Sequence, residues 1–214
     1  MTINKKLPIG TLVLFGLFLL AMLITSVLMK PSAPPTELEG VLRPDFKVLQ
    51  PFKLTDHNNA QFNRERLQGK WTFVFFGYTF CPDICPAALA VMNSVQGLLE
   101  DEGGDVHTNV QVVFISVDPN RDTTELLANY VPYFNKNFIG ATADKIEIDR
   151  LVQQFGAGYI IEPETSPGQY TVAHTSAIFL VDPSARLVAS FSQPHYPATI
   201  VSLFRKIQDY FFGN

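Results

Sequence analysis

Residues 75–86 read FFGYTFCPDICP and hold both cysteines of the chain, Cys81 and Cys85. Each cysteine precedes a proline, which disfavours helical backbone at the cysteine itself. Proline is accepted in the first turn of a helix, where its missing N–H has no partner to lose, and is damaging further in. A helix is therefore predicted to begin near Pro86, with Cys85 at its edge and Cys81 in the loop before it. Just upstream, WTFVFFG (Trp71 to Gly77) is a short apolar run bounded by turn residues, the pattern of a strand covered on both faces. The two thiols thus lie in the loop leaving the carboxyl end of a buried strand, where open α/β sheets place their ligands. A helix amino-terminus also favours thiolate, so a lowered thiol pKa is expected. A disulfide here would close only about five residues and would brace a fold far less than one closing a long loop. The pair reads as a site of redox or metal chemistry.

The surrounding pattern extends that unit. VQVVFISV (Val110 to Val117) is a second buried-strand run, and Ala88, Val91, Met92, Val95 and Leu99 recur between the two at helical spacing. Asp122 and Glu125 are spaced as a capping box ahead of Leu126, Leu127, Tyr130 and Val131. Ile148, Leu151, Val152 and Phe155 form one stripe that stops at Gly156. Upstream, PFKLTDHNNAQFN suggests a hairpin turning at Asn58 and Asn59. Downstream, SAIFLVDPSARLVASF suggests two strands turning at Asp182, Pro183 and Ser184. A last helix from about Ala198 turns Ile200, Leu203, Phe204, Ile207 and Phe211 inward. Alternating strands and helices followed by a hairpin and a helix predict a thioredoxin-like layered α/β fold, a central mixed sheet flanked by helices.

The amino-terminal region differs in kind. Leu7 to Met29 carries no charge and is flanked by Lys5, Lys6 and Lys30. As a helix it would span roughly 35 Å, enough for a bilayer core of about 30 Å. It ends in Val27, Leu28, Met29 and Lys30, unlike the small-residue site of a cleaved signal peptide. The expected order is a cytoplasmic amino-terminus (1–6), a transmembrane helix (7–29), a tether (30–44) with four prolines, and the α/β domain (45–214). The basic amino-terminus should stay in the cytoplasm, leaving a single-pass protein of the inner membrane with its domain on the periplasmic side. Of the 16 basic residues 13 follow Lys30, against all 20 acids, a formal charge of −7. That balance excludes nucleic acid as the expected partner.

Three blocks in this order, FFGYTFCPDICP, VVFISVDPNRDT and TVAHTSAIFLVDP, resemble the Sco/SenC family over roughly Asp45 to Gly213. Its members are membrane-tethered, thioredoxin-like copper-binding factors for cytochrome c oxidase assembly. The resemblance implies copper, Cu(I) or Cu(II), held by Cys81, Cys85 and His174. It further implies delivery to the CuA centre of oxidase subunit II, with other copper carriers or thiol reductants as further partners. The donor chemistry agrees: soft thiolates select Cu(I), and imidazole suits both copper oxidation states. Structural zinc usually takes four protein ligands. With Cu(II) the set is neutral and calls for a further ligand. The family often carries an acid before this histidine, where the chain has Ala173.

Other positions carry weaker readings. Asp83 reads as a helix-entry acid, Asp118 as a capping or turn residue near the same rim, and Tyr78 and Phe80 as shields of the site. His57, His107 and His195 sit in polar or turn contexts and are expected to be solvated. Two functions compete. A copper metallochaperone needs all three ligands, whereas a thiol–disulfide oxidoreductase acting on the CuA-site cysteines, or a redox sensor, needs only Cys81 and Cys85. A peroxidase would need a cation beside its nucleophilic thiol, and the loop TFCPDICP offers none.

Overall fold

The computed structural model describes residues 9–28, 34–101 and 109–213. The uncharged amino-terminal run forms helix α1, Ile9–Leu28. Among the described residues no helix is long and apolar enough to cross a membrane. The span over 7–29 therefore stays an expectation of the sequence.

The α/β unit starts at Thr36, earlier than the Asp45 expected. A 3-10 turn at Thr36–Leu38 buries Leu38, and β1 (Leu42–Val48) follows. The end of the supposed tether is thus an edge strand, exposed on most of its length, and Pro44 is tolerated there as on any sheet edge. β2 (Lys53–Asp56) and β3 (Gln61–Asn63) form the expected hairpin, with Asn59 in left-handed backbone at φ 61°. Then come β4 (Trp71–Gly77), α2 (Ile84–Asp101), β5 (Val110–Ser116) and α3 (Thr124–Phe134). β6 (Ile139–Thr142), α4 (Lys145–Phe155), β7 (Tyr159–Ile161) and β8 (Val172–His174) continue the chain. β9 (Ile178–Val181), β10 (Arg186–Phe191) and α5 (Pro197–Phe212) complete it.

Eight strands form one mixed sheet in the order β1-β10-β9-β4-β5-β6-β2-β3, parallel only across β4, β5 and β6. All seven residues of β4 are buried, as its continuous apolar run requires. Alternate side chains serve opposite layers: Trp71 and Phe73 meet Phe204 of α5, whereas Phe76 meets Phe155 of α4. Each such fully buried aromatic contributes about 1.5–3 kcal/mol. β7 and β8 stand apart as a separate two-stranded sheet, pairing Tyr159 with His174. α4 ends as expected at Gly156, φ 64°. α3 is capped differently from expectation: the Thr123 hydroxyl accepts from Leu126 N–H, and Asp122 turns inward.

Candidate metal centre

Helix α2 begins two residues before Pro86, so Cys85 lies inside the first turn. Nothing is lost by this, since a proline in the first turn forgoes an N–H that has no helical acceptor. The Asp83 carbonyl accepts the first helical bond from Ala87, and Cys81 Sγ accepts from Cys85 N–H at 3.4 Å, so a thiol does the capping. The Asp83 side chain is exposed. Cys85 is fully buried, Cys81 half-buried, and both are free thiols.

The β7–β8 hairpin brings His174 to them. Its Nε2 lies 3.4 Å from Cys85 Sγ, and Nδ1–H donates to the Thr175 carbonyl at 3.1 Å. That second bond fixes the tautomer and leaves the Nε2 lone pair facing sulfur, the arrangement of a metal-ligating histidine. One ligand atom from each of Cys81, Cys85 and His174 lies within 4.8 Å of the others, and among the described residues this is the one such group. The ring is held edge-on by Phe75 and Tyr78, at 5.8 and 6.0 Å between centroids. Tyr78 is buried and covers the site as expected, whereas Phe80 is 57% exposed. Ala173 faces solvent.

Burial reverses the expected effect of the helix terminus. The Cys85 thiol is pushed well above its ordinary value by desolvation, opposed by a backbone hydrogen bond from Tyr78. A cation bound nearby would release that proton, since metal binding and thiol deprotonation are linked. Asp122 was legible only as a cap, yet it is a buried carboxylate beside the loop. Thr79 N–H, Thr79 Oγ1–H and Ser116 Oγ–H all donate to it, at 2.9, 2.6 and 2.6 Å. Asp118 is also fully buried, with its carbonyl accepting from Arg121 and Asp122 as a turn residue would. Its carboxylate accepts from Tyr170 Oη–H at 2.6 Å and from Arg121 Nε–H at 2.5 Å. Neither Arg121 nor Tyr170 was picked out by sequence reasoning. Because Arg121 is paired with Asp118, it supplies no free cation to a peroxidatic thiol.

The remaining histidines stand apart from the ligand group. His57 Nδ1 accepts from Gly140 N–H at 3.1 Å, so the ring is half-buried and engaged. His195 is likewise half-buried, its Nε2–H donating to the Phe191 carbonyl at 3.0 Å. Expected as solvated, both are held by backbone groups that need a partner. His107 lies outside the described residues. Burial holds His174 and His195 below the ordinary imidazole value, opposed by their bonds to Thr175 and Phe191. Between those lowered values and the unfolded pKa of about 6.5, the unfolded chain binds more protons. Their stability contribution is therefore complete above about pH 6.5 and lost as pH falls below it. Asp122, raised by burial, acts with the opposite sign. The urea midpoint of the metal-free protein is expected to be flat from about pH 8 to 7 and to fall toward pH 5. That limb should flatten when His174 and His195 are both replaced by Gln; an unaltered limb refutes the assignment.

A sequence model of SCO1/SenC matches residues 41–209. The chain belongs to the SCO1/SenC family. An SCO2-like protein of Rickettsia prowazekii is 31% identical over 183 residues, covering 84% of this chain and 87% of that protein. Among solved structures, Arabidopsis thaliana ScoI with copper bound gives a TM-score of 0.70 at 30% identity, covering 77% of this chain and all of that one. Bradyrhizobium japonicum ScoI with copper bound gives 0.65 at 35% identity, covering 75% of this chain and 99% of that one. These matches carry the thioredoxin-like Sco architecture across the α/β domain, with its mixed sheet and flanking helices. Cys81, Cys85 and His174 are a set that could hold a metal ion in this SCO1/SenC domain.

Proposed function

We infer that this protein is a copper carrier, binding one ion through the thiolates of Cys81 and Cys85 and Nε2 of His174. Its target is the CuA centre of cytochrome c oxidase subunit II. The observation that carries the reading is the Nε2 lone pair, freed by the Thr175 hydrogen bond and standing 3.4 Å from a buried thiol. Two soft sulfurs and one imidazole suit copper, and three ligands leave a position through which an acceptor's ligand can enter before the donors leave. Cys81 and His174 are half-buried and Cys85 is fully buried, so the first two form the accessible edge of the set. The uncharged run at 7–29 serves as a membrane anchor with the domain on the periplasmic side, which raises the effective concentration near a membrane-bound acceptor.

One observation favours the second reading, thiol–disulfide exchange on the acceptor's cysteines: two free thiols stand close together with Cys81 accessible. The buried, raised thiol of Cys85 and the oriented imidazole favour the carrier, because exchange has no need of His174. Anaerobic copper titration of a soluble fragment starting at Pro31 separates them. One ion per chain is expected with the dithiol, and a loss of at least about 100-fold in affinity once the sulfurs are joined, since a disulfide removes both thiolate ligands. Equal affinity of the two forms would reject the carrier.

A further inference from the structure

The three ligand atoms come from two segments that share no strand pairing. Cys81 and Cys85 belong to the loop and first turn of α2, His174 to the separate β7–β8 sheet. Arg121, in the turn between β5 and α3, touches both. Its Nη1–H donates to the Tyr170 carbonyl at 2.9 Å, and its guanidinium carbon stacks 3.5 Å from the Tyr170 ring centroid. The same carbon lies 4.8 Å from the ring centroid of Phe80, the neighbour of Cys81, and 5.6 Å from that of Tyr78. Tyr78 in turn presses edge-on against the His174 ring. Tyr170 lies four residues ahead of His174, and its hydroxyl ties back to Asp118, the acid that pairs with Arg121. Only 14% of the arginine side chain is exposed, and among the described residues its Nη2 has no hydrogen-bond partner. Such a group is held for where it stands, and lysine could reproduce its charge but not its planar, stacked fork.

We propose that Arg121 is the positioning residue of the metal centre, bracing the histidine hairpin against the thiol loop so that His174 Nε2 stays within reach of both sulfurs. The proposal rests on the copper reading of Cys81, Cys85 and His174. Arg121→Lys is expected to weaken Cu(II) binding about 10–100-fold, as loss of a residue that orients a ligand does, and to change the Cu(II) paramagnetic resonance and absorption spectra. Cu(I), for which the two sulfurs of one short loop supply most of the bonding, should lose no more than a few-fold. Tyr170→Phe, which deletes only the hydroxyl on Asp118, should give a smaller loss of the same kind. A copper-free measurement reads the brace directly. The ring nitrogens of His174 should show a single Nδ1–H tautomer in the parent protein and exchange-broadened, mixed signals in Arg121→Lys. Cu(II) affinity within about twofold of the parent with unchanged spectra overturns the proposal, and so do equal losses for Cu(I) and Cu(II), which mark a merely structural residue. Should Arg121→Lys fail to fold, Tyr170→Phe decides by the same criteria. If the parent protein itself takes up no Cu(II), the copper reading fails, and the ring-nitrogen signals alone judge the brace: unchanged signals in the variant refute it.

Discussion

Replacing His174 by alanine is expected to abolish tight Cu(II) binding while leaving thiol–disulfide exchange at Cys81 and Cys85 largely intact. The imidazole is the one nitrogen donor of the group, and its lone pair is already turned toward sulfur. Cu(II) favours imidazole as well as thiolate, whereas Cu(I) can be retained by two soft sulfurs. The Cu(II) loss should therefore exceed the about 10–100-fold that follows removal of a supporting residue, with a smaller fall for Cu(I). Truncation also leaves a gap against Phe75 and Tyr78, so the melting temperature must be recorded beside the titration. A variant that melts somewhat lower yet exchanges disulfides at the parent rate isolates the metal function. Parent-like Cu(II) affinity would remove the histidine from the site.

Much of the architecture follows from local pattern. The runs Trp71–Gly77 and Val110–Ser116 are predominantly apolar because both faces of β4 and nearly all of β5 are buried, and that burial leaves few alternatives to a central strand. The stripe of α4 ending at Gly156 is equally plain, since a left-handed stop requires what glycine supplies. β1 was illegible for the converse reason. LRPDFKV pairs on one side only, keeps most side chains at least partly exposed and contains a proline, so its composition is that of a linker.

The site divides the same way. Two cysteines four apart at the end of a buried strand announce themselves, but the sign of the Cys85 shift does not. Desolvation is a property of the packed core, and there it raises the thiol where the helix terminus alone would lower it. His174 stands 89 residues from Cys85 and is brought back by the pairing of two three-residue strands, a signal too short for periodicity to carry. Resemblance to a family, not spacing, singled it out. Arg121 and Tyr170 escaped altogether because their contacts join residues 49 positions apart through stacking and a backbone carbonyl. The stretch VDPNRD reads as a turn, a helix cap and part of a family block, and the sequence alone could not disclose what its arginine faces.

Gly77→Ala is expected to damage stability and metal binding together. Gly77 is the last residue of β4, paired with Ser116 of β5. A Cβ there would stand 2.7 Å from Phe114 Cε2 and 2.8 Å from Cys85 Sγ, closer than carbon tolerates. Phe114 is fully buried between Phe75 and Tyr130 and has nowhere to swing. The thiol must therefore yield, carrying the first turn of α2 with it and opening the 3.4 Å approach to His174. Overpacking of this kind costs about 1–3 kcal/mol. The displaced sulfur should lower copper affinity by more than the lost stability alone explains. Gly97→Ala is the matched control: it lies inside α2, its added methyl meets nothing within 4 Å, and it should raise stability by up to about 1 kcal/mol through helix propensity. Denaturant melts and copper titrations of the two variants test the packing of Cys85. If Gly77→Ala unfolds at the parent midpoint and binds copper as tightly, the sulfur is not pressed against the end of β4, and a glycine at that strand end has no bearing on the metal.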